Sequence, residues 1–136
     1  MNSIEQTLSI IKPDAVERNL VSEIKRMFTS NGFKILKEKK IQIEKSEAEK
    51  FYKVHETKPF YNDLCDYLSS GPIVVMVLQK DSAVKENREL MGATNPKDAE
   101  NGTIRKKYGI SIDKNSVHGS DSVENAKIEI NFFFKD

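Results

Sequence analysis

Residues 73–78 read IVVMVL, continuously apolar and largely β-branched. A strand with one solvated face alternates apolar and polar residues, whereas a strand covered on both faces does not. The run therefore predicts a central, doubly covered strand, entered from the Gly71-Pro72 break. Such a strand needs neighbours. "QTLSII" (6–11) supplies one, ended by a turn at "KPD". "FKILKEKKIQI" (33–43) supplies another, with a lysine-rich solvated face and an imperfect alternation that predicts a bulge.

Helical spacing fills the intervals. Leu20, Val21, Ile24, Met27 and Phe28 form one stripe, with Gly32 as the C-terminal cap. Ser46 and Glu49 have capping-box spacing, opening a helix with Ala48, Phe51, Tyr52 and His55 on one stripe. Pro59 suits the first turn of a helix carrying Phe60, Leu64 and Leu68. Ser82 is read as the cap of a helix running to Gly92. Residues 92–116 are a long loop region with one helical turn near "TIRKKY". After a short strand near His118, Val123, Ala126, Ile130 and Phe133 mark a last helix capped by Asp121 or Ser122. The order predicts an α+β fold in which helices cover a small antiparallel sheet, as one domain over residues 1–136.

Composition limits the function. The chain has 136 residues, enough for a core without staples, and 22 basic residues against 21 acidic ones. No overall field recruits nucleic acid or an anionic membrane. Cys65 is the sole cysteine, which excludes an intrachain disulfide and a cysteine metal cluster; it is read as a buried small hydrophobe. No apolar run spans a bilayer, and the N-terminus lacks a basic segment leading into an apolar one, so a cytoplasmic location is expected. "NGT" at 101–103 is read as a chance sequon. The P-loop, G-x-G-x-x-G, G-x-S-x-G and H-E-x-x-H patterns are all missing.

His118 lies in "NSVHGSDSVE" (115–124). Gly119 is read as letting the backbone turn, with a helix starting about two residues later, so the imidazole stands beside a helix N-terminus where amides favour an anion. A neutral ring nitrogen has a lone pair and can act as a nucleophile. The alternative, a histidine that only caps or hydrogen-bonds locally, stays open at this point. Lys12, Arg88 and Arg105 are cations suited to a phosphate chain, Arg88 half buried beside an apolar stripe; each taken singly also reads as a surface cation. Phe60 and Leu64 read either as core or as the mouth of a cleft where Phe60 stacks on a base. His55, on an apolar stripe, reads as a satisfied structural histidine.

The segment "NSVHGSDS" resembles the N-x-x-H-G-S-D signature of the nucleoside diphosphate kinases. "TLSIIKPDAV" (7–16), "FYKVHETKPFYNDLCDYLSSGP" (51–72), "RELMGATNP" (88–96), "GTIR" (102–105) and "SDSVENAKIEI" (120–130) are similar to that family in the same order. The resemblance implies a ferredoxin-like βαββαβ sandwich with a four-stranded antiparallel sheet. It also implies ping-pong transfer of a terminal phosphate from a nucleoside triphosphate such as ATP to a nucleoside diphosphate. By that resemblance His118 is the phosphorylated nucleophile, with Glu129 and Ser120 supporting it. Lys12, Tyr52, Arg88, Thr94, Arg105 and Asn115 match positions that hold phosphates and ribose. Phe60 matches the aromatic that stacks on the base, and Leu64 and Ile112 match its apolar surroundings. Magnesium (Mg2+) is implied, bound mainly through nucleotide phosphates with Asp121 reaching it through water. Family members are homo-oligomers, hexamers or tetramers; a hexamer is expected here, although Asn101 replaces a common proline in a contact loop. Two rival readings, a nucleotide-sensing module without turnover and a nucleic-acid-binding sheet, both require that the protein carry no phosphate.

Overall fold

The computed structural model describes residues 4–112 and 114–134. Its sheet has four strands in the order β2-β3-β1-β4, and every neighbouring pair is antiparallel. The strands are β1 (Ile4–Ile11), β2 (Lys34–Ile41), β3 (Ile73–Asp81) and β4 (Val117–Gly119). Seven α-helices complete the described residues: α1 (Pro13–Glu17), α2 (Val21–Ser30), α3 (Lys45–Phe51), α4 (Tyr61–Leu68), α5 (Ala83–Met91), α6 (Ile104–Tyr108) and α7 (Val123–Phe133). This is the ferredoxin-like sandwich, with α3 and α4 inserted between β2 and β3.

The apolar run does become a central strand. Ile73 through Leu78 are all buried, and β3 lies between β2 and β1. Val74, Met76 and Leu78 join Ile24 and Phe28 of α2, Met91 of α5 and Ile104 of α6 in one core. Ile73 and Val75 join Ala48 of α3, Leu68 of α4 and Phe133 of α7 in the other. β1 divides the same way: Leu8 and Ile10 face the second core, and Ile11 faces the first. Two cores on opposite faces explain why β3 shows no alternation and why β1 is buried without a break from Thr7 to Ile11. The bulge in β2 falls between Ile35 and Lys37.

The end of α2 shows local sequence dictating geometry. Gly32 has φ +87° and follows the last helical turn. Its N–H donates to Thr29 O at 3.2 Å and that of Phe33 donates to Phe28 O at 3.1 Å, the bond pair of a Schellman motif. The Phe28 and Phe33 rings then meet edge to face, centroids 5.7 Å apart.

Several boundaries differ from the sequence reading. Pro13 opens the short helix α1 instead of a simple turn. The capping box of α3 is Glu44 with Glu47, whose Oε1 accepts from Glu44 N–H at 3.2 Å, two residues before the Ser46/Glu49 pair. A carboxylate serves there as well as a hydroxyl because the helix N-terminus attracts negative charge. α3 stops at Phe51, and a 3-10 turn over Lys53–His55 carries His55 off the predicted stripe, while Tyr52 stays in one core with Ala48. Phe60 is the N-cap residue of α4, with Pro59 outside the helix. Ser82 adopts the left-handed region (φ +53°) and its side chain caps nothing; Glu5 Oε1 accepts the Val84 N–H at 3.3 Å instead. Ser122 is the cap of α7, accepting from Asn125 N–H at 3.0 Å, and Val123 is exposed rather than packed with Ala126.

A Cβ on Gly32 would meet Lys80 Cε at 3.5 Å, an ordinary contact, so the cost of Gly32→Ala is the left-handed backbone alone. The expected loss is about 1–2 kcal/mol, to be checked by denaturant unfolding.

Candidate active site

β1 and β4 set the centre of the site. Ile10 pairs with His118 across the two strands, and Lys12 follows directly on β1. His118 sits within β4, not next to the start of a helix: α7 begins only at Val123. Its contact with α7 is through Glu129, farther along that helix, whose Oε1 lies 3.1 Å from His118 Nε2. The same oxygen accepts the Ser120 hydroxyl at 2.8 Å. Ser120 Oγ in turn accepts Leu8 N–H at 3.2 Å, which ties the cluster to β1. With Nε2–H donating to a carboxylate, the lone pair falls on Nδ1. Phe51 and Tyr52 flank the imidazole edge to face, at centroid distances of 5.3 and 6.3 Å.

Gly119 does not turn the chain. It is the last residue of β4, paired with Ser9, and is not among the positive-φ glycines. Glycine is required there by close approach: a Cβ would stand 2.7 Å from Met91 Cε and closer still to Asn87 Nδ2.

The cations converge on one cavity of about 490 Å³. Lys12 is 6 % exposed, and its Nζ donates to Asn115 Oδ1 at 2.9 Å. Asn115 Nδ2 donates to Thr94 O at 3.1 Å, linking Lys12 to the long loop region. Arg105 donates Nη1 to Gly92 O and Nη2 to Val117 O, both at 3.0 Å, which aims a rigid guanidinium at the cavity. Burial, and then the neighbouring Arg88 charge, push Arg105 down to a pKa of about 10. Two like charges held this close favour an anion between them. Arg88 is exposed, not half buried as expected, because its side chain leaves α5 towards β4 and α7, where Nη1 donates to Asp121 O at 3.3 Å.

The cavity wall brings together Lys12, Tyr52, Phe60, Leu64, Arg88, Thr94, Arg105, Ile112, Asn115, His118, Asp121 and Glu129. Ser120 is fully buried behind Glu129 and touches the cavity only through it. Phe60 and Ile112 are 44 and 53 % exposed, so they form a rim and not core. Sequence reasoning missed Phe51, Val54, Met91 and Asn125 on the same wall. Asn125 had a signal, lying one turn after Asp121, whose Oδ1 accepts from Asn125 Nδ2 at 2.6 Å. His55 also needs correction. It makes no side-chain hydrogen bond among the described residues and lines the cavity beside Phe60, ring centroids 5.9 Å apart. The break in α3 after Phe51 is what turns it there.

A histidine with one lone pair free, facing two arginines and a lysine in a half-enclosed cavity, is the equipment of a phosphotransferase. The nucleoside diphosphate kinase family model matches residues 5–136. The chain is 59% identical over 131 residues to a nucleoside diphosphate kinase of a Nitratiruptor species, covering 96% of each chain. It is 60% identical over 131 residues to one of Campylobacter fetus subsp. fetus, again covering 96% of each. It superposes on the crystal structure of the Aquifex aeolicus nucleoside diphosphate kinase with a TM-score of 0.96 at 38% identity, over 98% of this chain and 96% of that one. The chain belongs to the nucleoside diphosphate kinase family.

Burial holds the Tyr52 phenol well above its usual range, with the Glu129 charge adding to it. Burial and the hydrogen bond to the Asp14 carboxylate do the same for Tyr67. The folded state keeps protons that the unfolded chain releases above about pH 10, the ordinary phenol range. Their stabilising contribution is therefore complete below that pH and falls as pH rises beyond it. In a spectrophotometric titration Tyr52 and Tyr67 should ionise only as the protein unfolds.

Proposed function

We propose that the protein is a nucleoside diphosphate kinase that passes a terminal phosphate from a nucleoside triphosphate to a nucleoside diphosphate through phosphorylated His118. The observation that carries this is the Nε2 contact of His118 with Glu129 at 3.1 Å, which leaves Nδ1 as the basic nitrogen beside Lys12, Arg88 and Arg105. In the first half-reaction the Nδ1 lone pair attacks the terminal phosphorus. The bond from phosphorus to the bridging oxygen breaks, and the diphosphate leaves with that electron pair. The second half-reaction is the reverse, with a different diphosphate. The proton on Nε2 stays in place, its partial positive charge stabilised by the Glu129 carboxylate. Ser120 keeps that carboxylate in one orientation through its hydroxyl.

Phosphoryl transfer rests on alignment and charge neutralisation, which rigidly held cations supply. Lys12 is fixed by Asn115, and Arg105 by two carbonyls, so neither has to reorganise during the step. At the rim Phe60 stacks on the base, with Leu64 and Ile112 beside it. Stacking accepts any π-face, which supports broad tolerance of bases. His55, next to Phe60, belongs to the same nucleotide-facing wall.

Among the described residues no group of three His, Cys, Asp or Glu is placed to cage a metal. Asp121 is exposed at the cavity edge, with its Oδ1 already accepting from Asn125. That donor set fits magnesium, which keeps several waters and takes phosphate oxygens with one or two carboxylates. When bound, magnesium would add charge neutralisation on the phosphates, with Asp121 holding it through water.

The working unit is read as one domain over residues 1–136, cytoplasmic, in a homo-oligomer with a hexamer favoured over a tetramer. Among the described residues no helix is long and apolar enough to cross a membrane. Sedimentation equilibrium gives the subunit number directly.

Incubation with ATP labelled on its terminal phosphate should give an acid-labile, base-stable protein phosphate, and added GDP should remove it as labelled GTP. A wild-type protein that takes no label, or a His118→Ala variant that takes as much, overturns the reading. Glu129→Gln should slow phosphorylation by roughly ten- to a thousandfold, as loss of a preorganised electrostatic contact does. Phe60→Ala should raise KM for purine and pyrimidine nucleotides alike by about tenfold, since each lost stacking contact is worth about 1–3 kcal/mol. Steady-state kinetics with ATP and CTP as donors tests that.

A further inference from the structure

Ser116 carries a strained backbone. Its φ is +75°, a left-handed value that favours glycine, and the residue is fully buried. Across it, Val117 N–H donates to Asn115 O at 2.9 Å. A bond from one residue to the next but one, around a left-handed centre, is the rare and strained form of the γ-turn. Strain of this kind persists only where the surroundings hold it, and it gathers at functional sites.

What hangs from the turn is the phosphate-facing side of the cavity. Asn115 Oδ1 accepts from Lys12 Nζ at 2.9 Å, and Ser116 O accepts Lys12 N–H at 2.8 Å. Val117 O accepts from Arg105 Nη2 at 3.0 Å. His118 is the next residue, paired with Ile10. Three consecutive residues thus fix two cations, and the fourth carries the imidazole. A shift in the turn would move all three groups relative to one another.

What holds the turn is a side chain. Ser116 Oγ donates to Asp14 Oδ2 at 2.9 Å and accepts from Arg18 Nη2 at 3.3 Å. Asp14 is buried and anchored in turn, because Arg18 Nη2 and the Tyr67 hydroxyl also donate to its carboxylate. Glycine would adopt this backbone at no steric cost. Serine brings strain and one hydroxyl, and the hydroxyl supplies the clamp. The N-x-x-H pattern puts no demand on this position, so the role follows from the geometry alone.

We propose that Ser116 is a positioning residue for phosphotransfer: its hydroxyl, held by Asp14, pins the strained turn that sets Lys12, Arg105 and His118 in mutual register. Ser116 is not part of the cavity wall and acts through those three groups. The role rests on the phosphotransfer reading.

Transfer from ATP labelled on its terminal phosphate is followed in a single turnover. ATP is saturating, and the temperature is one at which denaturant unfolding shows each variant folded. Ser116→Ala keeps the strain and loses the hydroxyl, so the turn relaxes. Label should enter the protein about tenfold more slowly, as when groups that must be aligned are misplaced. Ser116→Gly loses the hydroxyl and the strain together. Its turn needs no clamp, and the variant should recover most of that loss. A serine that served stability alone would shift the unfolding midpoint and leave both rates at the wild-type value, which overturns the proposal. Ser116→Gly as slow as Ser116→Ala overturns it too, since the strain would then have no part. Should Ser116→Ala fail to fold, Ser116→Cys takes its place: the thiol nearly keeps the volume and is a weak donor, so the same slowing is expected. A wild-type chain that takes no label defeats the phosphotransfer reading and this role with it. A labelled wild type beside an unslowed Ser116→Ala defeats the role of Ser116 alone.

Discussion

The antiparallel register of β1 against β3 is the constraint on which the rest of the molecule stands. Eight residues of β1 face β3, from Ile4 opposite Asp81 to Ile11 opposite Val74. Because side chains alternate, this register sends Leu8 and Ile10 to one helical layer and Thr7, Ser9 and Ile11 to the other. A slip of one residue would exchange the two sets, exposing hydroxyls to the aromatic core and leucine to α5. It would also move Lys12 relative to β4. Since the backbone of His118 lies on a three-residue strand paired to β1, the geometry of the cavity inherits much of its accuracy from that pairing.

A second knot fixes the loop region that lends residues to the cavity. The buried Asp14 carboxylate accepts Arg18 Nη2 at 3.0 Å, Ser116 Oγ at 2.9 Å and the Tyr67 hydroxyl. Arg18 also donates to Tyr108 O at 2.6 Å. One carboxylate therefore joins α1, α4, α6 and the segment before β4. Lys12 N–H donates to Ser116 O at 2.8 Å, which carries that rigidity to the lysine facing the cavity. A charge taken out of water is tolerable here because each of its oxygens is hydrogen-bonded and its partner arginine is in place. The same logic governs Arg105 in the cavity, held by the Gly92 and Val117 carbonyls, which accept its hydrogen bonds without neutralising its charge.

Much of this was legible in the chain, and the gaps have physical causes. β3 was readable because an unbroken apolar run allows few environments, and α2 because its stripe and its glycine agree. Helix starts were less readable. Ser46 and Ser82 are good caps by type, yet Glu44 and Glu5 took those roles, because any nearby acceptor satisfies a free amide and the sequence does not say which one is near. Phe60 and Leu64 were ambiguous between core and rim until burial separated them. His55 and Arg88 were misplaced because helical spacing assumes the helix continues and says little about where a long side chain ends. The signature around His118, and the order of the flanking segments, carried the site residues collectively, whereas no single cation would have been persuasive.

The sequence by itself determined the alternation of strands and helices, the segment that bears His118 and the types of cation near it, because these follow from local pattern and from residue chemistry. Tertiary structure alone decided which nitrogen of His118 is left basic, since Glu129 of α7, held by Ser120, meets the imidazole only in the folded chain. It also decided that Gly119 is needed for space and not for its backbone freedom, because Asn87, unremarkable in sequence, is buried against it. Distances between residues far apart in the chain depend on packing, and packing is a property of the whole fold that no local segment encodes.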